Sequence, residues 1–194
     1  MIKILQKEAK ILRKISELVP VEKISSYRIQ KIISEMKEAL ASQDDGVAIA
    51  APQIGYPLRI FVVSKKVENI MKQSRKAKEE KTKVPVDSKT QAATAPDMVF
   101  INPVIKKISR EKIIVEEGCL SVRFLYGKVS RGSKVAILAY DEHGRKFERG
   151  GTGLLSQIFQ HEVDHLNGIL FIDKAKFVEE ILPKNIKQKD GVRN

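Results

Sequence analysis

Two of the chain's three histidines stand four residues apart in the stretch Gln160-His161-Glu162-Val163-Asp164-His165. In an α-helix, positions four apart lie on the same face, so His161 and His165 can direct imidazole nitrogens at one divalent ion. Glu162 then lies beside that ion, where a carboxylate can accept a proton from water and return it to a leaving group. The stretch therefore predicts the metal-binding helix of a hydrolase.

The residues on either side define the length of this helix. Thr152 is the predicted N-cap, and Gly168 is the predicted stop signal. The helix is apolar around most of its circumference, which is typical of a helix in the middle of a fold. Its apolar positions before the first histidine are Leu154, Leu155, Ile158 and Phe159.

A catalytic metal site usually has three protein ligands and one open position, so a third ligand is needed. The position that the metzincin pattern requires is Phe171, and the predicted helix ends well before Glu179 and Glu180. Upstream, His143 lies in a predicted hairpin turn, whereas Cys119 follows an apolar strand. A lone cysteine is often only a small buried hydrophobe. We nevertheless favour Cys119 over His143, because one Cys and two His suit a catalytic zinc or ferrous site.

The remaining chain predicts strands and one further core helix. From Ser26 to Ser42 apolar residues recur every three or four positions, predicting an N-terminal helix capped by Ser25 or Ser26. The first 21 residues fit either a helix or an extended arm.

β-branched and aromatic residues predict strands at 59–63, 98–105, 112–115, 134–140 and 145–147, the last two forming a hairpin. The proline of 98–105 predicts an edge strand or a bulge, and residues 177–182 are predicted as a short helix. We expect an α+β fold with antiparallel sheets packed around the central HExxH helix.

Composition limits the number of domains and the compartment. A chain of 194 residues predicts one domain over 1–194, with a basic insertion at 65–96 and a polar tail at 183–194. The insertion carries nine Lys and Arg against four Asp and Glu. The single cysteine, and the lack of a signal-like or bilayer-spanning apolar run, predict a cytoplasmic protein without membrane contact.

The formal net charge of +12 is high for a small enzyme. It indicates either a lysine-rich solvated surface or an affinity for a polyanion such as ribosomal RNA. No DNA-binding motif accompanies the charge, so we expect no DNA partner.

Three segments together resemble the motifs of peptide deformylases. They cover residues 46–53, 117–122 and 160–166 and read GVAIAAPQ, EGCLSV and QHEVDHL. The HExxH alone is a weak signal, but the three segments in this order are specific. Asn102-Pro103 and the hairpin from Lys134 also look like the family.

The resemblance implies hydrolysis of the N-formyl group of formyl-methionine on nascent polypeptides, with the ribosome as a possible partner through the basic surface. It implies Fe²⁺ as cofactor, with Zn²⁺ or another divalent metal as the alternative. It also implies that Glu162 transfers the proton, and that the Gln53 side-chain amide and the Leu120 backbone N–H stabilise the oxyanion. The implied metal ligands are Cys119, His161 and His165.

The resemblance also implies a pocket for the methionine side chain, lined by Val47, Leu154 and Ile158, of which the last two could equally be plain core residues. Ala48 stands where the family usually has glycine, which predicts a narrower cleft. After Ser121 many bacterial members have a proline and, a little later, an arginine near the peptide, whereas this chain has Val122-Arg123-Phe124-Leu125-Tyr126. Two alternatives therefore stay open: a deformylase-like fold with weak or no catalysis that binds peptides or ribosomes, and a metalloprotease.

Overall fold

The computed structural model describes residues 2–72 and 96–182 of the chain. Of the basic insertion at 65–96, the structure describes residues 65–72, of which 66–72 are helical, and residue 96. The polar tail at 183–194 lies outside the described residues. The helices are α1 (Tyr27–Ala41) and α2 (Leu154–Leu166), and the strands are β1 (Ala48–Ala50), β2 (Ile60–Val63), β3 (Met98–Ile108), β4 (Lys112–Cys119), β5 (Val122–Gly132), β6 (Lys134–Tyr140), β7 (Lys146–Thr152) and β8 (Lys176–Glu180).

A five-stranded antiparallel sheet in the order β1-β2-β3-β6-β7 separates the two helices. Ile60 and Val62 of β2 face α1, whereas Phe61 and Val63 face α2, because alternate residues of a strand point to opposite faces. Both faces are therefore covered. This explains why β2 is a continuous apolar run instead of an alternating one. The expectation of an α+β fold with antiparallel sheets is confirmed.

Helix α1 forms where the apolar spacing predicted it. Its N-cap is Ser26, whose hydroxyl accepts the Ile29 N–H, and its C-cap is Ser42. The apolar face packs on the sheet through buried side chains that include Ile33 and Met36. The predicted N-terminal helix is thus confirmed, and it leaves the following segment, which contains β1, directly against the core.

Helix α2 is held on the opposite face of the sheet by close packing and by polar anchors. A Cβ on Gly151 would lie only 3.1 Å from backbone atoms of Leu155 and Ser156, so glycine in β7 permits this close approach. The side chain of Gln160 accepts the Gly132 N–H at 2.9 Å and donates to the Gly132 carbonyl at 3.0 Å. These contacts fix both the depth and the rotation of the helix.

The two ends of α2 differ from each other in how well the sequence located them. The N-cap is Gly153, without a side-chain hydrogen bond, so the prediction of Thr152 was wrong; that residue pairs with Lys134 at the end of β7. Gly168 does end the helix, with φ +73°, a region that favours glycine. A Cβ there would also approach the Arg13 carbonyl to 2.7 Å, because the N-terminal arm crosses at this point.

Residues 2–26 form an arm with short 3-10 turns instead of an α-helix. The arm is fastened to the body by Asn102, whose side chain exchanges hydrogen bonds with the backbone of Val19 at 2.9 and 2.7 Å. Asn102 has φ +51°, and the β3–β6 register shifts between Ile101 and Val104. The Asn102-Pro103 pair therefore marks a bulge in a central strand, and the edge-strand alternative was wrong.

A second, three-stranded antiparallel sheet has the order β4-β5-β8. Strand β8 occupies the region predicted as a helix at 177–182, so that prediction was wrong: Val178 pairs with Gly127 of β5. Strand β5 was not predicted. The β4–β5 connection is tight, since Cys119 pairs with Val122, and it presents Cys119 at the end of a strand. In the part of the chain described here, no helix has the length and apolar content that crossing a bilayer requires.

Candidate metal centre

The structure brings Cys119, His161 and His165 together. One ligand atom from each residue lies within 4.8 Å of the other two, and Cys119 Sγ is 3.1 Å from His165 Nε2. The histidines come from successive turns of α2 with ring centroids 4.9 Å apart, while the cysteine comes from the end of β4. Sulfur and two imidazole nitrogens are a donor set that suits zinc or ferrous iron.

A buried carboxylate fixes the orientation of His161. Glu117 Oε2 is 2.9 Å from His161 Nδ1 and can only accept a hydrogen bond, so Nδ1 is the donor and Nε2 is the ring nitrogen left to face the other two ligand atoms. Burial alone would raise the pKa of Glu117, but hydrogen bonds from Arg131 and His161 lower it to about 2. Glu117 is therefore a carboxylate at neutral pH, as this orienting role requires.

Arg131 connects Glu117 to helix α2. Its guanidinium donates to both Glu117 oxygens at 2.7 and 2.8 Å and to Asp164 Oδ2 at 2.6 Å, although only 2% of the residue is exposed. Asp164 in turn accepts from Lys174 at 2.6 Å. The network ties the strand that precedes Cys119 to the helix that carries the histidines.

The electrostatics of the cluster favour the metal-binding form of the cysteine. Burial would raise the pKa of the Cys119 thiol, but the charge of His165 and hydrogen bonds with His161 and His165 lower it to about 5. The thiolate is the form that binds metals. Among the described residues, the buried atoms His165 Nδ1 and Glu162 Oε2 have no hydrogen-bond partner. The three residues thus fit a divalent ion in chemistry and in spacing.

Glu162 lies in the same cleft and is 4% exposed. Burial raises its pKa from 4.5 to about 7, although the two neighbouring histidines act in the opposite direction. A carboxyl with a pKa near the working pH is suited to accept and return a proton.

The segment that follows β1 turns Gln53 toward the cysteine. Residues Ala51–Ile54 form a 3-10 turn, and Gln53 Oε1 accepts the Ala50 N–H at 2.8 Å. This bond leaves the amide nitrogen directed at the site, 3.0 Å from Ser121 Oγ and 3.6 Å from Cys119 Sγ. Leu120 lies between these two residues in the tight β4–β5 turn, so Gln53 and the Leu120 backbone line the same end of the cleft.

The cleft has a volume of about 260 Å³. The three residues predicted for a methionine pocket, Val47, Leu154 and Ile158, all line it, as does Ala48. His143 lies in the exposed β6–β7 turn, and Glu179 and Glu180 lie in β8. The three-residue cluster contains none of these alternatives.

Sequence reasoning missed the supporting residues Arg131 and Asp164. Gly127, Val129 and Arg131 are buried at alternate positions of β5, so an arginine stands where a strand points inward. This pattern identifies Arg131 only after β5 has been recognised as a strand.

Arg131→Met is expected to lower the free energy of unfolding by about 3–5 kcal/mol, because it leaves Glu117 buried without its cationic partner. Lys174→Met is the matched control, since Lys174 is 41% exposed and its pair with Asp164 is worth about 1 kcal/mol or less. Urea unfolding of both variants measures the difference. Equal losses in the two variants would contradict the structural role given to Arg131.

Glu162→Gln is expected to stabilise the metal-free protein at pH 8, by up to roughly 3 kcal/mol. Because folding raises the pKa of Glu162 from 4.5 to about 7, the folded state binds the proton more tightly. The contribution of the protonated carboxyl is full below pH 4.5 and is lost as the pH rises toward 7. The difference in unfolding free energy between variant and wild type, measured across this range, should therefore grow with pH. A constant difference would contradict the raised pKa.

The chain matches the family model described as polypeptide deformylase over residues 1–180. It is 37% identical over 167 residues to peptide deformylase 2 of Clostridium acetobutylicum, covering 86% of this chain and 89% of that protein.

Two solved structures have similar folds. The crystal structure of a peptide deformylase from Legionella pneumophila has a TM-score of 0.69 and 34% identity, covering 90% of this chain and 85% of that one. The Met-Ala-Ser bound structure of a class I type b peptide deformylase from Acinetobacter baumannii has a TM-score of 0.70 and 28% identity, covering 89% and 98%.

Proposed function

Because the chain belongs to the peptide deformylase family, enzymes that remove the formyl group from nascent peptides, we propose that Cys119, His161 and His165 hold its metal ion. The proposal rests on the convergence of these three side chains beside a buried glutamate. We further propose Fe²⁺ as the native ion, with Zn²⁺ able to occupy the same donor set. When bound, the ion lowers the pKa of a water ligand toward neutrality and polarises the formyl carbonyl.

Glu162 is the proposed proton carrier. Its carboxylate accepts a proton as water adds to the formyl carbon, and it delivers that proton to the methionine nitrogen as the C–N bond breaks. Formate and the free amino terminus are the products. The first step requires the carboxylate form of Glu162. Burial raises the pKa of Glu162 to about 7, which lets the group take up the proton and still hold it weakly enough to return it in the second step.

Two donors stabilise the negative charge that develops on the formyl oxygen when water adds. The proposed donors are the Gln53 side-chain amide and the Leu120 backbone N–H. The contact of Gln53 Oε1 with the Ala50 N–H supports this role, because it leaves only the amide nitrogen to face the cleft.

The methionine side chain is proposed to lie between Val47, Leu154 and Ile158, which give the cleft an apolar wall. The added methyl group of Ala48, 7% exposed in the same wall, narrows the space beside Gln53. A formyl group is small enough to enter a narrow site from which bulkier acyl groups are excluded. The relative from Acinetobacter baumannii was crystallised with Met-Ala-Ser bound, which supports peptides that begin with methionine as ligands of this cleft.

We place the reaction in the cytoplasm on nascent chains, with the basic surface increasing the encounter rate with ribosomes. The formal net charge of +12 supports this step through long-range attraction to RNA phosphates. Salt-sensitive co-sedimentation with ribosomes tests it, and sedimentation that is independent of salt would count against it.

Formate release from formyl-Met-Ala-Ser tests the proposed function. Purified protein loaded anaerobically with ferrous iron should release formate and leave Met-Ala-Ser intact. Internal cleavage of the peptide without formate release would favour a metalloprotease instead.

A further inference from the structure

Arg123, near the start of β5, lines the cleft at the end where the loop between α1 and β1 faces the β4–β5 turn. Its Nη1 is 2.6 Å from Asp45 Oδ2, and its Nη2 is 2.5 Å from Gln43 Oε1. Both partners belong to the loop between α1 and β1. The arginine therefore bridges two walls of the cleft, and its side chain remains 29% exposed.

The guanidinium of Arg123 has N–H donors beyond the two that bind Asp45 and Gln43. Arginine has five N–H donors in a planar fork, and one bond to Asp45 and one to Gln43 account for two of them. The fork matches the geometry of a carboxylate. Because two partners already hold the side chain, little further ordering is required when it binds a ligand.

The same cleft contains Glu162 and the apolar wall at Leu154 and Ile158. A peptide with its formyl group beside Glu162 and its methionine side chain against that wall continues through the cleft toward solvent. Within the described ranges 2–72 and 96–182, Arg123 is the single lysine or arginine among the residues that line this cleft. It is therefore placed to read the charge of the peptide after the methionine.

We propose that Arg123 determines specificity by binding a carboxylate on the peptide downstream of the formylated methionine. The proposal rests on the proposed function and adds a preference for acidic peptides. The carboxylate is either an acidic side chain or the C-terminus of a short peptide. Asp45 binds the same guanidinium, so it weakens the preference for acidic peptides.

The charge of Asp45 distinguishes this role from a purely structural bridge. If Arg123 only joins the two walls, Arg123→Met removes the bridge, Asp45→Asn weakens one of its two hydrogen bonds, and each variant affects all peptides alike. If Arg123 binds the peptide, Asp45→Asn leaves a less neutralised cation and improves the binding of acidic peptides, whereas Arg123→Met weakens it.

The test compares KM and kcat for three substrates: formyl-Met-Ala-Ser with a free C-terminus, its C-terminal amide, and formyl-Met-Ala-Glu amide. Arg123→Met should raise KM about fivefold for the acidic peptides, because it removes a charge-assisted hydrogen bond that partial exposure to solvent weakens. For the neutral amide, KM should rise less than twofold. Asp45→Asn should lower KM for the acidic peptides. Arg145→Met, which removes an exposed arginine paired with Asp141 in the β6–β7 turn, is the matched control and should change neither value.

A response confined to the free C-terminus would assign the site to terminal carboxylates, and a response to both acidic peptides would assign it to carboxylates in general. An unchanged acid-to-amide ratio of KM in Arg123→Met would overturn the proposal, as would equal increases in KM for every peptide in both variants. Calorimetric binding of Met-Ala-Ser and its amide gives the same comparison without turnover. A failure of deformylation is therefore distinguishable from a failure of the Arg123 site.

Discussion

Glu162→Gln is expected to reduce turnover of formyl-Met-Ala-Ser by about 10²–10⁴-fold, the usual contribution of a positioned acid–base group. Glutamine keeps the size of the side chain but cannot accept the proton from water or deliver it to the departing amine. The metal content should stay at the wild-type level, because the three proposed ligands are unchanged. Formate release and metal analysis on the same preparation measure both effects.

Glu148→Gln is the matched control for this variant. Glu148 lies exposed on β7, outside the residues that line the cleft, and the substitution removes the same charge. Turnover of the control should match the wild type. Retention of more than about a tenth of wild-type turnover by Glu162→Gln would remove Glu162 from its proposed role.

Cys119→Ala is expected to weaken metal binding by more than about 100-fold. Even residues that only orient metal ligands contribute about 10–100-fold to affinity, so loss of a ligand should exceed this range. Metal per protein after dialysis should fall from about one to a small fraction, and turnover should fall with it. Inductively coupled plasma analysis of the dialysed protein measures the loss.

Ser121→Ala is the control on the same β4–β5 turn. Ser121 contacts the Gln53 amide at 3.0 Å but offers no atom to the three-residue cluster, so its variant should retain the metal. Full metal content in Cys119→Ala would contradict the assignment of Cys119 as a metal ligand.

Local patterns were sufficient to predict the two helices. Helix α1 has its own cap at Ser26 and a continuous apolar face, and α2 has an apolar body and the Gly168 stop. These signals lie within each helix and do not depend on distant parts of the chain. The same holds for the β6–β7 hairpin, where Asp141 accepts backbone N–H groups across the turn.

Strands β5 and β8 could not be predicted in the same way, because tertiary pairing defines them. Residues 177–182 have apolar positions that fit a helix, and they become a strand only because β5 supplies hydrogen-bonding partners. Strand β5 carries glycines and an inward-facing Arg131, which its own sequence does not mark as a strand. The buried network around Arg131 depended on this strand, and it was missed for the same reason.

The candidate site was more accessible to sequence reasoning than the fold around it. The spacing of His161 and His165 is local, and the need of this pair for a third ligand favoured Cys119, which follows an apolar strand. The oxyanion role of Gln53 was predicted only through the family resemblance. Its orientation depends on the Ala50 N–H, which no pattern in the sequence reveals.

The central claim is that one divalent ion, held by Cys119, His161 and His165, and the carboxylate of Glu162 together remove formyl groups. Formate release by anaerobic, ferrous-loaded protein, compared before and after chelation of the metal, tests it most directly. The account predicts turnover that disappears with the chelator and returns when ferrous iron is restored to about one ion per chain. Formate release that continues at full rate in the chelated protein would contradict it, as would no release from protein carrying one ferrous ion per chain.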